Sequence, residues 1–344
     1  MKTPLSMTLA LALGLLAQPA LAGSGFTVSK KVSDQPNVAT VRDRGLVNAW
    51  GISQGPGSPY WVSDNGTGLS TLYDATTFAK IGLVVTIPSP AAGHSAPTGT
   101  VFSGGGGTSF LVSHGGKTGH SIFLFDSEDG AIIGWSPAVD LHRAVMAVNE
   151  SGKGTVFKGL AINAAGDTIY ATDFAHNVVK VYDKNFNAVG SFTDATAPDG
   201  YGPFNAQMLN GKIYVTFAKH EPTGHDEAHG PGLGLVDVFD PATGAFTRLV
   251  SHGALNAPWG LAIAPSSFGA LAGDLLVGNF GDGKINAYDP NTGAWVATLS
   301  KANGGPLMID GLWALAPGSN GTVTFSAGPG GESHGLLGSI TPNP

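Results

Sequence analysis

No cysteine occurs in these 344 residues, which removes disulfides and thiolate metal centres from consideration. Basic clusters are missing too. Lys and Arg number 17 against 24 Asp and Glu, a balance that argues against nucleic acid and anionic membrane as partners. After the first 22 residues no stretch is long and apolar enough to span a bilayer. Helical periodicity is also lacking. The apolar runs are short, rich in Val, Ile, Tyr and Phe, and bounded by Gly, Pro, Asn and Asp, which is the pattern of strands and turns. Glycine is what the chain has in plenty: 52 residues, about double the ordinary ~7% usage. It falls at strand ends and in loops, so it signals tight turns rather than disorder.

The chain also repeats itself. Asn48-Ala49-Trp50-Gly51-Ile52-Ser53 returns as Asn256-Ala257-Pro258-Trp259-Gly260-Leu261-Ala262. Modules end in Tyr73-Asp74, Phe125-Asp126, Tyr182-Asp183, Phe239-Asp240 and Tyr288-Asp289, at spacings of 49 to 57 residues, with a degenerate sixth copy at Ser339-Ile340-Thr341. Propeller repeats run to roughly 40–50 residues of four strands, and one such unit needs neighbours to bury its faces. The third module shows the pattern: an inner strand at Gly159–Ile162, then Thr168–Thr172, Val178–Tyr182, and an outer strand near Val189–Phe192. Asp-Pro-x-Thr-Gly at 240–244 and 289–293 is a tight turn, Pro presetting φ and Gly taking the strained position. The expectation is an all-β fold, a six-bladed β-propeller of four-stranded antiparallel blades. The segment Phe26–Ser29 is expected to supply the last blade's outer strand and so close the ring.

Residues 1–22 read as a secretory signal: Lys2, an apolar core over Leu5–Leu16, and Ala20-Leu21-Ala22 as a small-x-small cleavage site. Residues 23–344 are then a single propeller domain, expected to be monomeric and to work in the periplasm or outside the cell.

In a propeller, the residue before each inner strand and the residue after each second strand crowd one mouth of the central channel. Module alignment puts Trp50, Thr98, Lys158, Asn205, Trp259 and Asp310 in a first ring. It puts Asp64, His114, Asp173, Phe217, Asn279 and Ala327 in a second, with Glu332 and His334 on a loop beyond. Convergent polar groups in a concavity are the default binding site. The expected ligand-binding residues are therefore Trp50, Asp64, Lys158, Asn205, Trp259, Asn279, Asp310 and Glu332. Asp64, Asp173, Asn205, Asn279 and Asp310 are hard oxygen donors that suit calcium. The competing reading has Asp64, Asp173 and Asn279 tying turns to the backbone, and Trp50 and Trp259 packing blades. For an enzyme, Asp173 or Asp64 on a metal with His114 or His334 as general base are the catalytic candidates.

Three motifs carry less. His220 to His229 holds three His, but Pro222 and Gly224 break any helix, so the zincin arrangement does not fit; a solvated loop is expected, with a labile metal site or a ligand lid as the alternative. Gly51-Ile52-Ser53-Gln54-Gly55 matches G-x-S-x-G but sits on an inner strand, not a nucleophile elbow. Asp183 to Asp194 imitates a calcium loop, with Ala188 where the obligatory Gly should stand.

Several long strings resemble a family of exported bacterial six-bladed propellers common in species that use the PEP-CTERM sorting system. They are Leu255–Ala262, Leu276–Gly283, Gly311–Leu315, Tyr201–Gln207 and Glu332–Leu336. The likeness implies the fold and export, and spans nearly the whole chain after residue 22. Ile340–Pro344 lacks the motif, apolar span and basic tail of a sorted anchor, so release is expected. More distantly the chain is similar to the propellers of gluconolactonases and paraoxonases, whose carboxylate and amide oxygens at the channel again imply calcium. Three functions stay open: binding a small polar ligand such as a saccharide at the mouth, divalent-metal-dependent lactonase, hydrolase or lyase chemistry there, or a protein-interaction scaffold.

Overall fold

The alternation of short apolar runs with Gly- and Asp-rich turns folds into six four-stranded antiparallel blades, the last extended by the two-residue parallel strand Val41–Arg42. This computed structural model describes residues 25–104 and 107–344; the leader expected at 1–22 lies outside them. Blade one is Ala49–Ser53, Tyr60–Asp64, Leu69–Tyr73 and Lys80–Thr86. Blade three is Phe157–Ile162, Thr168–Asp173, Val178–Asp183 and Ala188–Phe192, matching the expected strands to within two residues. Blade four runs from Tyr201–Leu209 through Lys212–Lys219 and Leu235–Asp240 to Ala245–Ser251, and blade five from Pro258–Ile263 through Leu275–Asn279 and Ile285–Tyr288 to Trp295–Thr298. The first strands touch one another in succession, and that of blade six touches that of blade one, so they surround the axis.

Closure is as expected. Blade six takes Leu312–Pro317, Val323–Ala327 and Leu336–Pro342 from the end of the chain and Phe26–Ser33 from its start. The outer pair runs antiparallel from Phe26 opposite Pro342 to Ser33 opposite Leu336, with a bulge between Lys30 and Val32.

Blade two departs from the expected register. Its strands are Pro97–Phe102, Phe123–Ser127, Ala131–Trp135 and Val145–Asn149. An inserted hairpin, Leu111–His114 with Lys117–His120, stands outside the four-stranded sheet. Phe125-Asp126 therefore ends a second strand rather than a third.

Neighbouring blades bury large side chains between them: Trp61 of blade one stacks on Phe123 of blade two at 4.2 Å, with Trp135 at 4.5 Å. Near the axis there is room only for glycine. A Cβ at Gly51 would strike the Thr98 carbonyl, one at Gly159 the Asn205 side chain, and one at Gly260 the Trp313 carbonyl. At the rim the Asp turns behave as read: the Asp240 carboxylate accepts from Ala242 N at 2.8 Å and the Thr243 hydroxyl at 2.9 Å, while Gly244 takes φ +75°. Among the described residues no helix is long and apolar enough to cross a membrane.

Candidate functional site

Strand register decides what reaches the channel. At one end of the ring the inner strands pair Ala49 with Asp64, Pro97 with Ser127, Phe157 with Asp173, Pro203 with Phe217, Pro258 with Asn279 and Leu312 with Ala327. Side chains alternate along a strand, so the next residue of each inner strand faces the opposite way. Those residues are Trp50, Thr98, Lys158, Phe204, Trp259 and Trp313, and all six are buried. Four of the expected first ring hold their places. Asn205 and Asp310 do not, because Phe204 and Trp313 occupy those positions.

The same one-residue step separates the expected second ring from the mouth. The residues that follow the paired strand ends are Asn65, Glu128, Phe174, Ala218, Phe280 and Gly328. Four of these are aromatic or polar and contact the charged cluster or the aromatic floor described next. Apart from His114, the expected residues lie one position earlier, and their side chains face the blade interior or the turns. Asp64 is fully buried beside Thr71 and Tyr73; burial pushes its carboxyl well above the usual range, against the hydrogen bonding of Thr71. Asp173 meets His176 Nδ1 at 2.7 Å and Lys180 Nζ at 2.8 Å. The Asn279 amide donates to the Ala254 carbonyl at 2.8 Å and to Asp282 at 3.0 Å. The Asn205 amide donates to the Trp259 carbonyl at 2.8 Å, and Asp310 is exposed and accepts from Gly330 N at 2.9 Å. These five expected calcium ligands share no partner, so the structure does not bring them together. His114 stands on the blade-two hairpin, away from the mouth, and His334 turns to Asp34 at 2.9 Å.

The floor of the mouth is aromatic. Trp50, Phe174, Phe204, Trp259, Phe280 and Trp313 form one buried cluster. Trp50 and Trp313 stack at 3.5 Å, Trp313 and Phe280 at 3.8 Å, and Trp259 meets the edges of Trp50 and Trp313 at 5.9 and 6.0 Å. The Trp259 indole donates to the Lys158 carbonyl at 2.9 Å, and the Trp313 indole to Asn48 Oδ1 at 2.9 Å. Gly328 is required here, since a Cβ would collide with the same Asn48 oxygen. On the far side of this plug the inner strands enclose a cavity of about 270 Å³ that Ser53, Thr100 and Gln207 line.

Above the floor sits Lys158, 1% exposed, its ammonium 5.3 Å from the Trp50 ring centre and 5.9 Å from that of Phe174. Glu128 contacts it at 2.6 Å, Asp226 at 3.3 Å and Glu227 at 3.7 Å. Burial works to lower its pKa, but these three carboxylates win and raise it above the ordinary lysine value. A relay of amides continues round the rim: Asn65 donates to Glu128 at 2.8 Å, and Asn48 to Asn65 at 3.1 Å and to Glu332 at 2.7 Å. Burial first, then Glu227 and Glu128, hold the Glu332 carboxyl above its usual value against the Asn48 hydrogen bond. Glu332 also adopts φ +66°, a region that non-glycine residues rarely occupy.

The loop after Lys219 is the largest departure from expectation. It is not merely solvated. His220 and Glu227 bridge as an antiparallel pair, Ala228 N bonds the Lys219 carbonyl at 2.7 Å, and the fold carries Asp226 and Glu227 onto Lys158. His225 meets Asp226 at 2.8 Å, and His229 lies 3.8 Å from Glu227 and edge-on to Phe280 at 5.1 Å. Glu227 raises the His229 pKa. Ligand atoms of Glu128, His225 and Asp226 all lie within 4.8 Å of one another, close enough to share a cation.

Glu128, Asp226 and Glu227 are thus the candidate site residues that the expected rings did not contain. For Glu128 the blade-two insertion hid the strand end. For the loop, three His beside Asp and Glu were the visible signal.

No family model matches the chain. It is 34% identical over 333 residues to the uncharacterized protein R648 of Acanthamoeba polyphaga mimivirus, covering 94% of this chain and 82% of that one. The uncharacterized protein L690 of the same virus is 33% identical over 336 residues, at 94% and 87% coverage. These relatives are viral, and they lend no support to the exported bacterial family. Among solved structures, a streptogramin B lyase superposes with a TM-score of 0.55 at 10% identity, over 94% of this chain and all of the other. A virginiamycin B lyase from Staphylococcus aureus gives 0.52 at 13%, over 92% of this chain and all of the other. Identities this low speak for the propeller fold alone. At the level of sequence, the chain belongs to the family of the mimivirus proteins R648 and L690.

Proposed function

We propose that this propeller holds a small polar ligand, of saccharide type, at the mouth above Lys158. The observation that carries the reading is one buried ammonium set among four carboxylates (Glu128, Asp226, Glu227 and Glu332) with the Asn48 and Asn65 amides beside them. Carboxylates in excess of cations offer acceptors to a ligand rich in hydroxyl donors and repel an anionic one. The half-exposed His229 at the rim, seated edge-on to Phe280, offers an imidazole face to the apolar side of a sugar. The leader at 1–22 supports export to a periplasm or beyond.

A ligand that binds only the native state raises the melting temperature with its concentration. A thermal-shift panel of neutral, amino and acidic monosaccharides tests this. Neutral or amino sugars should stabilise the parent protein and lose that effect in Glu332→Gln. A panel in which only acidic sugars work, or in which the variant responds as the parent does, would sink the reading.

A second reading rests on Glu128, His225 and Asp226, whose ligand atoms could share a divalent cation. An imidazole in the set suits zinc or manganese better than calcium. Such an ion would polarise a carbonyl or an oxygen leaving group, the chemistry of a hydrolase or lyase, and the streptogramin B and virginiamycin B lyases lend it a fold-level analogy. Isothermal titration with zinc, manganese and calcium, repeated on His225→Ala, decides it: heat lost in the variant supports the ion, and no heat in the parent removes it.

A further inference from the structure

Blade two differs from the other five by its inserted hairpin, Leu111–His114 with Lys117–His120. The hairpin packs on the blade's third and outer strands. Val112 is buried so close to Gly134 that a Cβ there would stand 3.0 Å from it. Between this hairpin, the loop at 88–89 and the start of the outer strand opens a pocket of about 390 Å³. That lies within the usual range of small-molecule sites, about 300–1,000 Å³. It is separate from the mouth and shares no residue with it.

Two charges of opposite sign line this pocket, Arg143 and Asp140. Among the described residues the exposed Arg143 guanidinium makes no ion pair and no hydrogen bond. Asp140 accepts from His142 N at 2.9 Å through one oxygen, and the other is left over. The two do not pair with each other, although both face one small volume. Pro88, Val145 and Met146 supply an apolar wall, and the Ser89 and His114 side chains complete the rim.

We propose that this pocket binds a free amino acid with an apolar side chain. Its carboxylate would take the guanidinium fork of Arg143, whose planar donors match a carboxylate in bidentate fashion. Its ammonium would take the spare Asp140 oxygen, and its side chain would lie on Pro88 and Met146. A ligand of one sign leaves one of these charges unanswered, and a zwitterion answers both. The insertion thereby gains a purpose that the repeat alone does not give it.

The test is calorimetric titration of the full chain with leucine, N-acetylleucine and leucinamide, on the parent and on Arg143→Gln and Asp140→Asn. Both substitutions are at solvent-accessible positions, and an unchanged melting temperature would confirm that each variant is folded. Leucine is expected to bind in the millimolar range or tighter. Each analogue, and each variant with leucine, should bind roughly tenfold more weakly, which is about 1.4 kcal/mol. No leucine heat at millimolar concentration would overturn the proposal. So would N-acetylleucine binding as well as leucine, since the pocket would then read a carboxylate alone.

Discussion

Replacing Lys158 by Met leaves the stem and removes the charge, and the structure says what that costs. The ammonium is 2.6 Å from Glu128, 3.3 Å from Asp226 and 3.7 Å from Glu227. At an effective dielectric of about 20 each such contact is worth about 4–6 kcal/mol of Coulomb attraction before desolvation is subtracted. Asp226 is more than half exposed, so water screens its share and it is discounted. What remains is a buried lysine facing two largely buried glutamates, and breaking such a group by removing one partner costs about 3–5 kcal/mol. For a domain of this size that is a fall of about 4–7 °C in melting temperature. The sign with pH is definite. Without the lysine, Glu332 keeps the repulsion of Glu227 and Glu128 and loses the cation that opposed it, so its already raised carboxyl moves further above its unfolded value. A raised carboxyl contributes stability below its unfolded pKa and loses it as pH rises through the folded value. The deficit of Lys158→Met should therefore be largest at pH 7 and shrink towards pH 5. Denaturant unfolding at both pH values, with the double variant Lys158→Met/Glu227→Gln, measures it. The second substitution should restore part of what the first removes. A single variant within about 0.5 kcal/mol of the parent at pH 7, a size typical of surface changes, or a double variant worse than the single, would refute the reasoning.

Other consequences are open to measurement. Asp126 is buried, bonded to the Thr98 hydroxyl and Gly99 N through one oxygen, and pushed up to about 7 by burial. Its contribution should fall as pH rises from its unfolded value through 7, by about 1.4 kcal/mol per pH unit at most; Asp126→Asn should flatten that slope in denaturant unfolding. Asn48→Ala removes partners from Trp313, Asn65 and Glu332, and should lower stability by about 2–3 kcal/mol on the scale of buried polar groups left unsatisfied. Deleting residues 1–33 strips the outer strand from blade six; size-exclusion chromatography should show larger aggregates than the parent gives, because an unpaired edge recruits other chains.

Most of the fold was legible in the sequence because it rests on local signals. The Asp turns, the short Val- and Tyr-rich runs and their spacing each depend on a few neighbouring residues, and blades one, three, four and five carry them intact, while blade six keeps only the runs and the spacing. Blade two did not, since Leu111–His114 has the composition of a blade strand and only tertiary pairing shows that it belongs to an insertion. The site failed for a sharper reason. A strand has a period of two, so a single-residue error in locating its end exchanges the channel face for the turn face. That error put Asp64, Asp173 and Asn279 where Asn65, Phe174 and Phe280 stand. Trp50, Lys158 and Trp259 were placed well, because each precedes a glycine that the crowded axis demands. The charge cluster itself joins residues from four blades, and nothing in a linear string pairs Glu128 with Asp226.

The stacked indoles at 3.5 Å have a consequence for observing the molecule. Trp50 belongs to the first blade and Trp313 to the last, so their overlap exists only after the two ends of the chain have met. Two indoles in such contact couple their transition dipoles and give a paired band in circular dichroism that neither shows alone. The protein thus carries an optical marker of ring closure, distinct from the sheet signal that separate blades would already produce. In a refolding experiment the sheet band should rise first and the coupled band last, and the lag between them would time the moment at which an open fan of blades becomes a ring.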